Sequence, residues 1–556
     1  MGAGVAGQRR QISPALRWVT DISWRPGVII ALGLLGLVTV VFIAILGVGS
    51  TVGSSDTSGI GQILMITFIQ AGLSTVFSLI VGILLAWSLR HRQQFPGRRL
   101  LLSVLSTSMV LPTLVVALGL VDVFGRRGWW NALIDLAGPG FDLATVSIYG
   151  LGGIVLAHTY MDAPFIARGL LHRLENIPAE HFKLARGLGL TPWQRFRNVE
   201  WPALVPAIPG QCLVVFLLSF TSFAIVLMIG GSPRFNTLEV AIYEAIKLEF
   251  DLPRAVALAL VQLFVCAALV LLTMSLRSGN ILQAVRRPAP MWPEPRFTLI
   301  MQWLVIALFT LFFVTPLIAV TLNGVGADFV RLAGTATFRL ALVSSLWLAS
   351  VSALLAIALA LFMASSQRHF TSRLRSKPSP MNKLYRGLLT FSGTVYLAVP
   401  ALVLGLGFFL LARSFLDDLT AVAPVALIAA NVMMALPFAL VILTPAMGKA
   451  ADKYDRLAFS LDLHGWARWR LIEWPVLRQD LGYLLALTFC LSLGDLGVIA
   501  LFGGQGFATL PWLLFQHMGS YRTADAAGIA LVLLTLCLAV FFIVPRLFEG
   551  RTRAET

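Results

Sequence analysis

Charge is scarce in this sequence. Of its 556 residues only 12% are Asp, Glu, Lys or Arg, about half the ~25% usual for a soluble domain, which excludes a soluble enzyme and a charge-rich disordered chain. Cysteine is scarcer still. Cys212, Cys266, Cys490 and Cys537 all fall inside apolar stretches at wide, irregular spacing, so neither a metal cluster nor a disulfide framework is indicated, and they read as lipid-facing or packing residues. No GxxxxGK[ST] run occurs. The chain therefore has no phosphate-cradling loop of its own, and any energy for work comes from a separate chain or from an ion gradient.

What the sequence has in abundance is apolar length: 58% of residues are hydrophobic, with mean hydropathy +0.85. Runs of ~18 residues or more each suffice to cross the ~30 Å hydrocarbon core as a helix. Twelve such spans are expected, at about 27–48, 62–88, 100–124, 145–170, 203–230, 254–276, 297–321, 340–365, 387–412, 420–446, 481–503 and 525–545. The fold class is an all-α polytopic membrane protein. The first run follows Arg9, Arg10, Arg17 and Arg25, but it outlasts the ~7–15 apolar residues of a secretory signal and reads as a retained helix.

With the N-terminus inside, most of the 42 Lys and Arg fall in cytoplasmic segments while the acidic residues divide evenly, as the positive-inside rule expects. Both termini are then cytoplasmic. The net charge of +16 is explained by a lipid bilayer as partner, with no nucleic acid required. Residues 278–296, with Arg286, Arg287, Pro288, Pro290, Pro293 and Pro295, read as a stiff cytoplasmic linker between a first half, 1–277, and a second, 297–556.

The halves are repeats. FKLARGLGLTPWQRFRNVEWP (182–202) and DRLAFSLDLHGWARWRLIEWP (455–475) match at a constant offset, pairing Leu184 with Leu457, Ala185 with Ala458, Leu188 with Leu461, Trp193 with Trp466, Arg195 with Arg468, Glu200 with Glu473 and Pro202 with Pro475. Pro164-Phe165 and Pro437-Phe438 keep the same offset. Because six spans separate the copies, both have one orientation, and the pseudo-two-fold axis runs along the membrane normal. Two equivalent cytoplasmic loops imply two equivalent cytoplasmic partners.

Within the first loop, Phe182, Ala185 and Leu188 recur at i, i+3 and i+6 and predict a short helix with one apolar face, able to dock in a partner's groove or to lie on lipid headgroups. Lys183, Arg186, Arg195 and Arg197, matched by Lys453, Arg456, Arg468 and Arg470, form a charged rim. Small Ala185 and Ala458 permit close backbone approach.

The segment ending at Pro202 resembles the EAA loop of binding-protein-dependent ABC importer permeases. Ala185, Gly189, Val199 and Pro202 occupy its second Ala, Gly, Ile and Pro, while Lys183 and Trp201 replace its Glu and Leu. In the second copy Ala458, Ile472 and Pro475 match, Arg456 replaces the Glu, and Asp462 stands at the Gly, where positive φ is expected. FPGRR (95–99), FGRRGWW (124–130), ENIPAE (175–180), TLEVAIYEAI (237–246), SLGDLGVIALFG (492–503) and TLPWLLFQHMGSYR (509–522) extend the resemblance over both halves to the thiamine and thiamine-pyrophosphate ABC transporter permeases, which are fused MetI-like subunits.

That resemblance implies an inner-membrane importer subunit with two cytoplasmic ABC ATPases and a periplasmic thiamine-binding protein. ATP and Mg would sit on the ATPases and no cofactor on this chain. The implied coupling residues are Phe182, Ala185, Leu188, Gly189, Trp193, Glu200 and Pro202 in one loop, and Leu457, Ala458, Leu461, Asp462, Trp466, Glu473 and Pro475 in the other. Fused permeases for iron(III) or another small solute share the architecture, and a gradient-driven transporter of two parallel halves shares the helix count but needs no matched loops.

Ionisable residues inside spans are costly and so are functional candidates. Asp495, in SLGDLG, is placed to compensate a cationic cargo such as thiamine, whose thiazolium ring is permanently charged; hydrogen bonding near Gly494 and Gly497 is the other reading. Asp162, before Ala163-Pro164, is expected to satisfy a proline kink. His158 and its counterpart Asn431 read as interhelical hydrogen-bonding residues. Phe216, Phe220 and Phe223 at i, i+4 and i+7 could stack on a passing ring, although core packing is commoner. Segment 239–251, with Glu239, Glu244, Glu249 and Asp251, is expected to be a solvated acidic loop.

Overall fold

The computed structural model describes residues 25–51, 59–137, 147–231, 234–275, 294–376, 378–415, 421–463, 465–504 and 506–549. Most of the 278–296 linker lies outside them. Among the described residues every regular element is a helix, because an unpaired backbone group in hydrocarbon costs several kcal/mol and a helix satisfies all of its own.

The first half comprises α1 (Arg25–Thr51), α2 (Ile60–His91), α3 (Arg98–Thr107), α4 (Thr113–Phe124), α5 (Leu151–Glu175), α6 (Ala179–Gly187), α7 (Ile208–Phe220), α8 (Ala224–Ile229), α9 (Leu238–Lys247) and α10 (Leu252–Ser275). The second comprises α11 (Arg296–Val325), α12 (Ala336–Ser376), α13 (Pro380–Thr394), α14 (Ala401–Phe415), α15 (Ala423–Ser460), α16 (Trp474–Leu493), α17 (Gly497–Phe502), α18 (Leu510–Gly519) and α19 (Thr523–Phe548).

Eight stretches among the described residues are long and apolar enough to cross a membrane unaided. Of the other four expected spans, 145–170 is the unbroken α5, which carries His158 and Asp162 and is less apolar, and three are bent or interrupted for local chemical reasons. Span 100–124 breaks between α3 and α4 at Pro112, and span 387–412 breaks between α13 and α14 at Pro400, since proline lacks the N–H that would continue the ladder. Span 203–230 bends by 64° where it leaves the repeated loop and breaks again at Thr221–Phe223; span 481–503, although within one of the eight, also breaks at Gly494–Leu496.

The expected acidic loop at 239–251 is instead largely α9, and Glu239 is buried, with Gln262 Nε2 donating to its Oε1 at 2.8 Å. The TLEVAIYEAI pattern places Leu238, Val240, Ala241, Ile242, Ala245 and Ile246 in the core, and that burial outweighs the acidic composition. α9 and α18 are repeat counterparts with matching anchors. The Leu238 N–H donates to Thr67 Oγ1 at 3.1 Å and the Leu510 N–H to Ser345 Oγ at 2.8 Å, so each first amide of a short helix is satisfied by the half's long helix, α2 or α12.

The halves exchange their first helices. α1 packs on α12, α13 and α14 of the other half and on α10 of its own, and α11 packs on α2 and α4 of the other half and on α19 of its own. A glycine admits each intruder: a Cβ at Gly407 would meet Val41 Cγ1 at 2.1 Å, and one at Gly119 would meet the Pro316 carbonyl oxygen at 2.7 Å. Hydrogen bonds also cross, with Ser392 Oγ donating to Ala31 O at 3.1 Å and Tyr160 Oη to Phe313 O at 2.7 Å.

Candidate coupling loops and central cavity

α6 begins the first repeated loop. It closes with a Leu190 N–H to Ala185 O bond of 3.0 Å across Gly189, whose φ is +64°. The second copy closes in the same way, Leu463 N–H to Ala458 O at 2.9 Å, with Asp462 at φ +53°. Replacing the motif glycine therefore leaves the left-handed turn intact. Aspartate is among the few residues that tolerate this region.

Beyond the turn each loop makes one π-helical turn, Phe196–Glu200 and Trp469–Glu473, before Trp-Pro. Pro202 and Pro475 lack the N–H that would bond four residues back, and their rings crowd that carbonyl; the widened turn accommodates both.

The predicted apolar face is divided in the structure. Phe182 and Ala185 are 4% and 3% exposed, turned into the protein, and Arg90 covers the Phe182 ring at 4.8 Å. Leu184 and Leu188 are 65% and 67% exposed, as is Trp193. Ala458 is likewise buried, whereas Leu457, Leu461 and Trp466 are exposed. The i, i+3, i+6 set spans both faces: Phe182 and Ala185 turn inward because α6 packs on the bundle, while Leu188 turns outward with Leu184 and Trp193, as do their counterparts.

Each loop is fastened to its half by the glutamate of Glu-Trp-Pro. Glu200 is fully buried: Trp87 Nε1 donates to its Oε2 at 2.9 Å, and its Oε1 lies 3.1 Å from His91 Nε2 and 3.4 Å from Arg195 Nε. Arg195 also reaches Glu294, at 2.7 Å, where the linker ends. In the second loop Glu473 Oε1 receives Arg368 at 2.9 Å and Arg468 at 3.1 Å, and both arginines also bond Asp455. His91 and Arg368 belong to matching Arg-His pairs, Arg90-His91 and Arg368-His369, near the C-terminal ends of α2 and α12. Each loop is thus joined to a long helix through charge-assisted bonds.

Between the halves lies a cavity of about 290 Å³, close to the lower bound of ~300 Å³ for small-molecule sites. Four interrupted helices meet there: Ser108–Thr113 and Thr221–Ile225 from the first half, Ala401 and Gly494–Gly497 from the second. Irregular backbone at membrane depth is tolerated where it lines such a space. Repeat-equivalent pairs face it, Met161 with Met434 and Phe165 with Phe438.

Its charged groups break that symmetry. Asp162 stands opposite Ala435 in the repeat and Asp495 opposite Ser222, and all four line the cavity. Ser219 Oγ donates to Asp162 Oδ2 at 3.2 Å, so this carboxylate ties α5 to α7 and lines the cavity as well as lying two residues before Pro164 of the unbroken α5. Asp495 Oδ1 accepts the Gly497 N–H at 3.1 Å, capping α17, while its Oδ2 is buried with no partner. His158 meets Gln70 at 3.0 Å and Asn431 donates to Ser492 Oγ at 2.7 Å; both are interhelical, and both line the cavity.

Of the three phenylalanines read as candidate stacking residues, Phe223 alone lines the cavity. Phe216 and Phe220 stack on each other and against Phe68, because the break at Thr221 ends the helical register that related them to Phe223. Phe165 and Phe438 went unnoticed as cavity residues although the Pro-Phe repeat pair signalled them. Cys490 also lines the cavity, while Cys266 and Cys537 are core packing.

Comparison with known proteins agrees with this architecture. Residues 78–284 match the family described as binding-protein-dependent transport system inner membrane component. The chain is 38% identical over 491 residues to the thiamine transport system permease protein ThiP of Brucella abortus (strain 2308), covering 88% of each chain. It is 38% identical to ThiP of Escherichia coli (strain K12), covering 87% of this chain and 89% of that one. The sulfate transport system permease protein CysT of Escherichia coli (strain K12) is 33% identical over 208 residues, 37% of this chain. Paired loops, a cavity between two halves and identity sustained through both halves converge: the chain belongs to the family of the thiamine transport system permease proteins, inner membrane components of binding-protein-dependent ABC importers.

Proposed function

We propose that this permease carries thiamine, or its phosphates, from a periplasmic thiamine-binding protein to the cytoplasm by alternating access between halves 1–277 and 297–556. The observation that carries the reading is the cavity between the halves, which holds two carboxylates, Asp162 and Asp495, beside Phe165, Phe223 and Phe438. A small, permanently cationic aromatic solute suits that lining: carboxylates offset the charge and ring faces attract it. The relatives named for thiamine transport favour the same cargo.

In this reading the repeated loops are coupling helices, each docking one ATPase subunit through Leu184, Leu188 and Trp193 or Leu457, Leu461 and Trp466, with ATP and Mg held by the ATPases. Glu200 and Glu473 convey ATP-driven closure to α2 and α12. Both termini and both loops face the cytoplasm, in keeping with the basic bias of those segments. The test is ATP-dependent uptake of labelled thiamine into proteoliposomes containing the permease, ATPase and binding protein, with iron and other cations as competitors. Uptake that needs all three proteins and ATP is expected; ATPase assembly without thiamine uptake would assign another cargo, and uptake driven by an ion gradient without ATP would overturn the mechanism.

A further inference from the structure

Two side-chain polar atoms of cavity-lining residues are buried with no hydrogen-bond partner: Nε2 of His158, from the first half, and Oδ2 of Asp495, from the second. Buried polar atoms are ordinarily paired, and leaving one unpaired costs free energy; other unpaired atoms lie elsewhere in the described residues, but these two belong to residues that line the cavity, where an entering guest can supply the partner.

The ring chemistry of His158 fixes what its guest must offer. Its Nδ1 lies 2.9 Å from the Ile154 carbonyl, and a carbonyl only accepts, so Nδ1 bears the ring proton and Nε2 presents a lone pair. The Gln70 side chain abuts the same Nδ1 at 3.0 Å and has its own Oε1 unpartnered. Turning that amide over lets its oxygen accept the Nδ1 proton too and reinforces the tautomer. His158 thus offers a neutral acceptor, and Asp162 and Asp495 place one carboxylate on each half, while the repeat position of His158 holds Asn431. The guest must carry an N–H donor for the histidine and positive charge for the carboxylates.

We propose that His158 is the specificity-determining residue of the cavity, accepting a hydrogen bond at Nε2 from the exocyclic amino group of an aminopyrimidine while Asp495 faces the cationic ring. This rests on the reading of the cargo as thiamine, which has an aminopyrimidine at one end and a thiazolium at the other. An analogue with an oxo group in place of the amino group sets acceptor against acceptor and is rejected.

The test is equilibrium binding of labelled thiamine to the purified importer in nanodiscs without binding protein, competed by unlabelled thiamine and by its 4-oxo analogue, together with proteoliposome uptake by the complete system. The wild type is expected to prefer the amino compound at least about tenfold. His158→Leu is expected to bring the preference close to one, and His158→Gln or His158→Asn, whose amides still offer an acceptor, to keep part of it. The preference ratio is the readout because a general loss of packing lowers both affinities together. Should His158→Leu, or the amide variants if the leucine variant does not fold, keep the full wild-type preference while thiamine is bound and transported, the assignment of His158 is overturned and the cargo reading stands. A wild-type importer that assembles with its ATPase but neither binds nor transports thiamine overturns the cargo reading, and this assignment with it.

Discussion

At the scale of single residues, the carboxylates divide into those that fasten and those that face the cavity. Glu200 is fully buried and is met by Trp87, His91 and Arg195; removing one partner of such a cluster leaves charge uncompensated and costs about 3 kcal/mol or more. Glu200→Ala is therefore expected to lower the thermal unfolding midpoint of the solubilised protein markedly. Glu473→Ala is expected to cost no more than about 1–2 kcal/mol, because Glu473 retains solvent contact and Asp455 continues to hold both arginines. Equal losses in the two variants would show that the clusters are equivalent despite their different burial.

Asp495→Asn keeps the side-chain oxygen that caps α17 and removes only charge. It is expected to reduce uptake at least tenfold, about 1.4 kcal/mol, with assembly intact. Unaltered uptake would take Asp495 out of the pathway. Asp495 was legible in the sequence because a carboxylate in an apolar span is costly wherever it points. Asp162 carries the same cost but was assigned to the adjacent proline kink, since nothing in sequence distinguishes a carboxylate that satisfies backbone from one that also faces a cavity. His158 was readable as a hydrogen-bonding residue; its unpaired nitrogen depends on which neighbours the fold delivers.

At the scale of elements, the repeated loops were found by self-similarity, while their orientation depended on packing. An i, i+3, i+6 pattern identifies a helix that has an apolar face but not whether that face meets its own bundle or a partner. With Ala185 buried and Leu188 exposed, the two substitutions separate the alternatives. Leu188→Glu is expected to abolish ATPase co-purification through that loop while the permease stays folded; Ala185→Glu forces a charge into the bundle and lowers stability by several kcal/mol. If Leu188→Glu left ATPase association unchanged, the outward face would not be the docking face. The turn that follows offers a milder check: Asp462→Gly relieves a left-handed non-glycine residue and is expected to raise stability by about 0.5–1 kcal/mol without altering transport. The helix breaks were marked in the sequence by Pro112, Pro400 and Gly494, but hydropathy averages over the ~19 residues of a span and passes over a break of three to six.

At the scale of the whole molecule, the duplication was visible in sequence while the exchange of first helices was not, because hydropathy says how long a helix is and never which half it covers. The exchange changes what holds the halves together. α1 is seated among α12, α13 and α14, α11 is seated on α2 and α4, and Gly407 and Gly119 allow each helix to approach closely. Between helices that share the same lipid solvent, such close packing supplies most of the association energy. The linker then serves mainly to deliver both halves together and to place Glu294 beside Arg195. Residues 1–284 and 285–556 produced as two separate chains are accordingly expected to co-purify and to support ATP-dependent uptake. Gly119→Leu combined with Gly407→Leu in the same split protein is expected to abolish co-purification, since each leucine occupies space already filled by Val41 or by the Pro316 backbone. Halves that failed to associate even with both glycines intact would mean that the covalent connection, and not the exchanged helices, holds the two halves together.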